Sequence, residues 1–258
     1  MKKAFYTVFL CTGFVLFSGI TTAQNNQNNR SGKRGVRQEA PAPKEEDQPQ
    51  KKEEKKFDIT PVIDHSVRVK ITTDSGIIIV KLYDSTPLHR DNFVKLVNEH
   101  FFDSLLFHRV IPDFMIQGGD PNSKYAADGK QLGDGGGNME RIPAEFRPYL
   151  IHKKGALAGA RDNNPEKASS ACQFYLVEGK QYSDADLDAM EKQNGMKYTP
   201  EQRKIYKTIG GTPFLDNNYT VFGEVETGLD VISKISHAPR SPYDRPLGNI
   251  RMYMEIIK

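Results

Sequence analysis

The segment FHRVIPDFMIQGGD, residues 107–120, gives the most direct indication of the fold. Two short apolar runs, residues 106–110 and 114–118, lie on either side of a Pro-Asp pair. Runs of this length, rich in Val, Ile and Phe and bounded by turn residues, are typical of β-strands. We therefore predict two strands here, and the first carries Arg109, a charged residue in a mostly apolar stretch.

The sequence on both sides repeats this pattern of short apolar runs separated by Gly, Asp and Pro. Residues 67–71 and 77–83 are joined through Asp74-Ser75-Gly76 and predict a hairpin. Four more strands are predicted at residues 156–160, 173–177, 220–225 and 250–257.

Two helices complete the pattern. Thr86 before Pro87 predicts a helix start with Thr86 as the N-terminal cap, and this helix is expected to end near His100. A second helix is predicted over residues 229–235. Because strands do not alternate regularly with helices, we predict a mainly β fold, an eight-stranded closed antiparallel β-barrel capped by two α-helices, over a parallel α/β sheet.

The first 23 residues predict export. Two lysines follow Met1, residues 4–20 are uncharged and mostly apolar, and Ala23 ends a run of small residues of the kind that signal peptidase cleaves. We expect cleavage after Ala23, which would place the protein in the periplasm or cell envelope, or outside the cell. The alternative is an uncleaved membrane anchor, since 17 uncharged residues are close to the shortest possible span.

Residues 24–57 are predicted to form a disordered charged linker, because Val36 and Phe57 are their only large apolar side chains. Contact of their charge blocks with an anionic surface is the alternative, but the two signs are mixed and largely cancel. The globular domain is predicted over residues 58–258, which carry 25 Lys and Arg against 27 Asp and Glu. This slightly acidic balance argues against a nucleic-acid-binding protein.

Residues 107–120 resemble the central signature of the cyclophilin family of peptidyl-prolyl cis-trans isomerases, and the resemblance is to its bacterial branch. It continues in family order with segments at residues 133–136, 142–146, 155–161, 173–175, 214–216 and 221–223, and it covers about residues 66–258. The resemblance implies an eight-stranded antiparallel barrel with a proline-binding groove on its outer face, and no cofactor. The histidines and Cys172 show no metal-ligand spacing, and Cys11 lies in the predicted signal segment, so neither a metal site nor a disulfide is expected.

The chemistry of proline isomerisation indicates a role for Arg109. Rotation about an Xaa-Pro bond meets a barrier of about 20 kcal/mol, because twisting removes amide resonance. As resonance is lost, the prolyl nitrogen becomes a hydrogen-bond acceptor, so a guanidinium aimed at it binds the twisted state better than either planar state. We predict that Arg109 is the catalytic residue. His108 beside it is not needed as a general base, because the reaction moves no proton.

The remaining site residues follow from the resemblance. Gln117 matches the side chain that bonds the peptide and steadies the arginine, and the main chain at Arg161 matches the edge that pairs with the substrate backbone. Four residues match the positions that hold the proline ring: Phe114, Met115, Tyr175 and Leu215. The other predicted substrate-binding residues are His108, Ala160, Gln173, Phe214 and Tyr219.

Four of these residues depart from the commonest family pattern, and one of them, Arg161, makes its implied contact through the main chain. Phe214 and Tyr219 stand where the best-known eukaryotic members carry Trp and His, and Tyr175 stands where many carry Phe. Loss of an indole N–H at position 214 predicts weak cyclosporin binding with retained isomerase activity. We expect the hydroxyl of Tyr175 to be exposed and to narrow or polarise the floor of the site.

Residues 178–212 are a predicted insertion. Ser183 and Asp184 open a helical pattern that Gly195 closes, and the capping box at residues 199–202 opens a second short helix that ends at Ile209. This helical hairpin is interpreted either as a lid or client contact, or as a surface decoration. The decoration would pack on the barrel through Leu187, Met190, Tyr198, Ile205 and Tyr206.

The sequence as a whole predicts an exported peptidyl-prolyl isomerase that accelerates the proline-limited folding of other proteins. A proline-peptide binding module or holdase chaperone on the same fold is the alternative. The joint presence of Arg109, Phe114, Met115 and Gln117 favours the enzyme, because a pure binder has no evident use for a donor aimed at the prolyl nitrogen. The expected partners are proline-containing unfolded or flexible polypeptides, and we expect a monomer, tethered to a membrane only in the anchor alternative.

Overall fold

Residues 66–257 are described by a computed structural model, and their short apolar runs form eight β-strands. Each strand lies within two residues of its predicted bounds. The strands are β1 (Arg68–Thr73), β2 (Gly76–Leu82), β3 (Phe107–Ile111), β4 (Met115–Gly118), β5 (Ala156–Gly159), β6 (Phe174–Val177), β7 (Val221–Thr227) and β8 (Met252–Ile257). The predicted signal segment and linker, residues 1–57, lie outside the described residues.

The strands form one sheet in the order β3-β4-β6-β5-β7-β2-β1-β8, and every neighbouring pair is antiparallel. The two end strands, β3 and β8, meet through a single bridge between Leu106 and Arg251. Main-chain hydrogen bonds beside it include Met252 N to Leu105 O at 2.8 Å. One bridge is much shorter than a strand ladder, so the sheet is curled and open, and the closure of the predicted barrel is not shown.

Two helices cover the core, as predicted. They are α1 (Pro87–Asn98) and α4 (Leu229–Ser236). Their buried side chains join the inward side chains of the strands in one cluster, which includes Phe93, Leu96 and Val97 from α1 and Val231, Ile232 and Ile235 from α4. The inward face of the sheet is thus packed against helices, which leaves its other face available for a site.

The start of α1 differs from the prediction. Thr86 occupies the cap position before Pro87, but its side chain makes no capping hydrogen bond. Instead, the carboxylate of Glu145 accepts hydrogen bonds from the main-chain N–H groups of Leu88 and His89, at 3.2 and 3.0 Å. The prediction of Thr86 at the N-cap position is confirmed, but capping by its side chain is not observed, because a carboxylate from a distant loop satisfies the free N–H groups of the first turn.

The insertion contains the two predicted helices, α2 (Asp184–Asn194) and α3 (Pro200–Thr208). Ser183 and Thr199 each cap a helix in a reciprocal box with the residue three positions later. Gly195 ends α2 with a φ of 66°, a left-handed conformation that glycine adopts without strain. The hairpin packs on the rest of the domain through a buried cluster of Ile151, Tyr182, Leu187, Tyr198 and Tyr206.

No helix between residues 66 and 257 is both long enough and apolar enough to cross a bilayer.

Candidate active site

A shallow cavity of about 90 Å³ lies on β3, β4 and β6, at one end of the strand order, and we call it the cup. Its nine lining residues were all predicted as site residues: Arg109, Phe114, Met115, Gln117, Ala160, Arg161, Tyr175, Leu215 and Tyr219. The strand register brings the central ones together, because Arg109 pairs with Gln117 and Gln117 pairs with Tyr175 across β3, β4 and β6. Paired residues share one face of a sheet, so three separate strands present their side chains to one place.

The floor and walls of the cup are aromatic and apolar. Met115 and Tyr175 are almost fully buried in a cluster with Ala158 and Val221. The ring of Tyr219 stands edge-on to that of Tyr175, with ring centres 6.0 Å apart. Such a surface suits a proline ring, which carries no polar group of its own.

Phe214 lies at the rim of the cup, where its ring packs 5.6 Å from that of Phe114. It is 41% exposed and does not line the cavity itself. The short 3-10 helix Pro213–Leu215 carries it, and Leu215 from the same turn reaches into the cup.

Arg109 is the cation that β3 contributes to the lining of the cup. Its Nη1 lies 3.5 Å from Oε1 of Gln117, and its Nε lies 3.8 Å from Oδ2 of Asp244. The side chain is 43% exposed, so the guanidinium can reach a bound peptide. Asp244 was missed by the sequence analysis, because no motif marks an isolated aspartate in a loop far along the chain.

Gln173 supports Gln117 from behind. The amide nitrogen of Gln117 donates to Oε1 of Gln173 at 3.0 Å, and the amide of Gln173 donates to the carbonyl oxygens of Gly133 and Gly135 at 2.7 and 2.9 Å. Gln173 therefore lies outside the cup and fixes the orientation of a side chain within it. Gln173 lines a neighbouring cavity of about 420 Å³. That cavity shares Gln117, Ala160 and Arg161 with the cup.

His108 lies outside the cup. It is buried behind Arg109 and lines a separate cavity of about 350 Å³ with Asp244 and Arg245. Burial lowers the pKa of His108 to about 4, and the neighbouring guanidinium charges of Arg109 and Arg245 act in the same direction. The imidazole is therefore neutral at pH 7.

The position of the Tyr175 hydroxyl differs from the prediction. Its ring forms part of the cup, but its hydroxyl points away into the protein and lies 3.0 Å from Nε2 of His152. Burial raises the pKa of Tyr175 well above its ordinary value. The prediction of an exposed hydroxyl that polarises the floor was wrong, because a buried histidine behind the strand provides the partner that a phenol needs.

Ala160 and Arg161 form one edge of the cup. The main-chain N–H of Ala160 donates to Gln173 O, and the carbonyl of Ala160 accepts from Ser170 N. Arg161 makes no main-chain hydrogen bond with any other residue in the 66–257 range, so its peptide groups can pair with a bound chain. Its side chain is already engaged, since the guanidinium lies 4.6 Å from the ring centre of Tyr219 and donates to Asn218 O.

Within the described part of the chain, no group of three or more His, Cys, Asp or Glu side chains could hold a metal ion. Cys172 is a buried free thiol, and burial raises its pKa.

The sequence profile of the family described as cyclophilin type peptidyl-prolyl cis-trans isomerase/CLD matches residues 68–255. A relative in Staphylococcus saprophyticus named as a peptidyl-prolyl cis-trans isomerase is 31% identical over 195 residues, which cover 74% of this chain and 91% of the relative. A relative in Streptococcus pyogenes named as a bifunctional phosphatase/peptidyl-prolyl cis-trans isomerase is 34% identical over 184 residues. That match covers 69% of this chain and only 36% of the relative.

Among solved structures, a cyclophilin type peptidyl-prolyl cis-trans isomerase of Cryptosporidium parvum has the same fold. The TM-score is 0.53 at 22% identity, and the match covers 75% of this chain and 99% of the other. A second structure of that protein, solved in the presence of the dipeptide Ala-Pro, also has a TM-score of 0.53, at 21% identity.

Proposed function

This chain belongs to the cyclophilin-type peptidyl-prolyl cis-trans isomerase family, and from that premise we propose that it accelerates Xaa-Pro rotation with Arg109 stabilising the twisted transition state. The observation that carries the proposal is the position of Arg109, half-exposed at the edge of an apolar cup and 3.5 Å from Gln117. The cup would hold the proline ring, and the guanidinium would donate to the prolyl nitrogen as that nitrogen pyramidalises.

The physical argument is differential binding. A planar amide nitrogen is a poor acceptor, whereas the nitrogen of a twisted amide offers its lone pair to a donor. Arginine suits this task because its charge is permanent and its donors are held in a planar fork. A preference of about 7 kcal/mol for the twisted state would accelerate rotation about 10⁵-fold.

The substrates are proposed to be proline-containing flexible polypeptides. The apolar cup, the free main-chain groups of Arg161 and the neighbouring cavity fit an extended chain with a proline at its centre. The related Cryptosporidium parvum protein was solved in the presence of Ala-Pro, which supports this substrate class.

The test is cis-to-trans isomerisation of an Xaa-Pro tetrapeptide by the wild-type chain, Arg109→Ala and Arg109→Lys. We expect Arg109→Ala to lower kcat/KM by about 100-fold or more, since it removes a donor used only in the transition state. Arg109→Lys is expected to recover only part of the loss. Arg90→Ala, which removes an arginine of α1 with no place in the cup, is the matched control and should behave as wild type.

Two results would contradict the proposal. A folded wild-type chain with no acceleration would leave the proline-peptide binding module as the better reading of the same cup. Equal loss in Arg109→Ala and Arg90→Ala would show acceleration without the proposed role of Arg109.

We further propose that the enzyme is exported and assists the folding of exported proteins. The support is the basic start, the apolar stretch and the small residues before Gln24. Mass spectrometry of the chain recovered from its native host should show a new N-terminus at Gln24. Recovery of a membrane-bound chain that retains Met1 would favour the anchor alternative instead.

A further inference from the structure

A chain of buried hydrogen bonds runs from the floor of the cup into the insertion. The hydroxyl of Tyr175 lies 3.0 Å from Nε2 of His152, and Nδ1 of His152 lies 2.7 Å from Oδ1 of Asp216. The hydroxyl of Tyr206 donates to Oδ2 of Asp216 at 2.5 Å. All four side chains are buried. Tyr206 belongs to α3, so the insertion is three hydrogen bonds away from the floor of the cup.

The direction of these bonds follows from what each group can do. A carboxylate only accepts, and Asp216 receives the main-chain N–H of His152, the imidazole Nδ1–H and the hydroxyl of Tyr206. In the tautomer that carries its proton on Nδ1, the imidazole presents Nε2 as an acceptor to Tyr175. Burial raises the pKa of both tyrosines well above its ordinary value, so both hydroxyls remain donors. Each member of the chain therefore fixes the orientation of the next.

Asp216 also lies next to one wall of the cup. Asp216 directly follows the short helix Pro213–Leu215, whose Leu215 lines the cup. A second residue of the insertion cluster holds this turn, because the hydroxyl of Tyr198 donates to Pro213 O at 3.0 Å. The insertion therefore contacts the supports of both the floor and the wall.

We propose that Tyr206 is a positioning residue of the cup. Its hydroxyl, acting through Asp216 and His152, holds the ring of Tyr175 and the turn at Leu215 in the arrangement that receives a proline ring. A surface decoration would need only apolar contacts to stay attached. A carboxylate with 3% exposure instead loses its hydration and is stable only if its hydrogen bonds are made, which ties α3 to one arrangement. The inference rests on the proposed isomerase function.

The test compares Tyr206→Phe, Tyr175→Phe and the double variant with Tyr182→Phe in the full chain. Tyr182 is the matched control, because it lies in the same buried cluster but its hydroxyl makes no hydrogen bond with the described residues. With a proline tetrapeptide, we expect Tyr206→Phe to raise KM about fivefold and to leave kcat within about twofold, since a loosened cup binds ground and transition states equally less well. Tyr182→Phe should leave both constants unchanged.

The double variant tests whether the two tyrosines act through one chain. Because either substitution interrupts the same set of bonds, we expect the KM of Tyr175→Phe/Tyr206→Phe to be close to that of the worse single variant. An increase equal to the product of the two single increases would overturn the idea of one connected chain. Tyr175→Phe interrupts the bonds from the cup side and gives the same reading if Tyr206→Phe does not fold.

A binding measurement separates this inference from the proposed function. Titration of the same tetrapeptide, followed by NMR, reports affinity whether or not the chain catalyses rotation. Weaker binding to Tyr206→Phe than to Tyr182→Phe supports the inference even if the wild type shows no acceleration, which would overturn only the isomerase function. Equal affinity and equal KM in these two variants would overturn the inference while leaving the isomerase function standing.

Discussion

The guanidinium of Arg109 is held by side chains from two separate parts of the chain. Gln117 contacts it from β4 and is itself fixed by Gln173, whereas Asp244 approaches from the other side at 3.8 Å. A donor that is already oriented needs no reorganisation when charge develops in the transition state. Asp244 also pairs with Arg240 at 3.3 Å. Its carboxylate is therefore shared between two cations and orients the Arg109 side chain only in part.

Replacement of Asp244 tests whether its carboxylate orients Arg109. Asn tolerates the φ of 62° at this position, so Asp244→Asn should keep the loop and remove only the negative charge. We expect kcat to fall about threefold with little change in the free energy of unfolding, in keeping with a partly exposed ion pair. Asp84→Asn, which removes one of the two carboxylates that pair with Arg90 on α1, is the control. Equal kcat in the two variants would argue against a role for Asp244.

His108 gives a prediction on pH and stability. Burial lowers its pKa to about 4, below the ordinary value of about 6.5, so the unfolded chain takes up a proton on acidification before the folded chain does. The stability that the neutral imidazole contributes is therefore complete above about pH 6.5 and is lost as the pH falls towards 4. Between pH 7 and 4.5, we expect the wild type to lose about 2 to 3 kcal/mol more than His108→Gln, from urea unfolding. Parallel losses in both proteins would contradict this prediction.

At the residue scale, nine of the predicted site residues lie together in the cup, whereas His152 and Asp216, which support it, were not among the predicted residues. Arg109, Met115 and Gln117 lie in one recognisable run, and strand register brings them together. His152 and Asp216, in contrast, act across 23 and 64 residues of sequence on partners in other elements. Single polar residues carry no periodic pattern, so nothing in the sequence indicated that the hydroxyl of Tyr175 would be buried.

Helix α1 shows what sequence can and cannot tell about an element. The Thr-Pro pair fixed its first residue, because Pro is favoured where a helix has no use for the N–H. The group that satisfies the free N–H donors is Glu145, and it also lies 2.7 Å from Nδ1 of His89. Capping by a residue from a distant loop has no local signature. The insertion caps, by contrast, are local boxes and were predicted correctly at Thr199.

The two candidate caps can be ranked by stability. Glu145→Gln removes the charge that favours the helix N-terminus and leaves one oxygen for several donors, so we expect a loss of about 2 kcal/mol in the free energy of unfolding. Thr86→Val removes only a hydroxyl bonded to Tyr83 O at 3.4 Å and should cost less than about 1 kcal/mol. Urea unfolding of both variants measures the difference. A larger loss in Thr86→Val would restore the threonine as the main cap.

For the molecule as a whole, the two ends of the described range are neighbours. β1 and β8 run antiparallel, with Arg68 opposite Ile257. Opposed residues in such a pair lie about 5 Å apart between Cα atoms, a gap that a few residues can bridge. New chain ends can be placed at the tip of the insertion, because nothing lies within 4 Å of the Cβ position at Gly195.

A circular permutant follows from this arrangement. Residue 257 would be joined to residue 66 by a short Gly-Ser linker, and new ends would be made after Gly195. We expect a folded protein with isomerase activity within about threefold of the wild type, because exposed loop tips tolerate new termini. Circular dichroism and the tetrapeptide assay would check this. A permutant opened in the β3–β4 turn is the control and should lose activity, and an inactive Gly195 permutant would contradict the prediction.

The pairing of β1 with β8 also determines when the sheet can be completed during synthesis of the protein. β8 is synthesised after the other seven strands, yet it is the partner of the first one and the strand that meets β3. At about 5 to 20 residues per second, the nascent chain waits on the order of ten seconds or more with its first hairpin unable to complete the sheet. Contacts between such distant parts of a sequence also form slowly. The other seven strands therefore leave the ribosome without the strand that completes their sheet, and the edge of β1 stays unpaired until β8 has been synthesised.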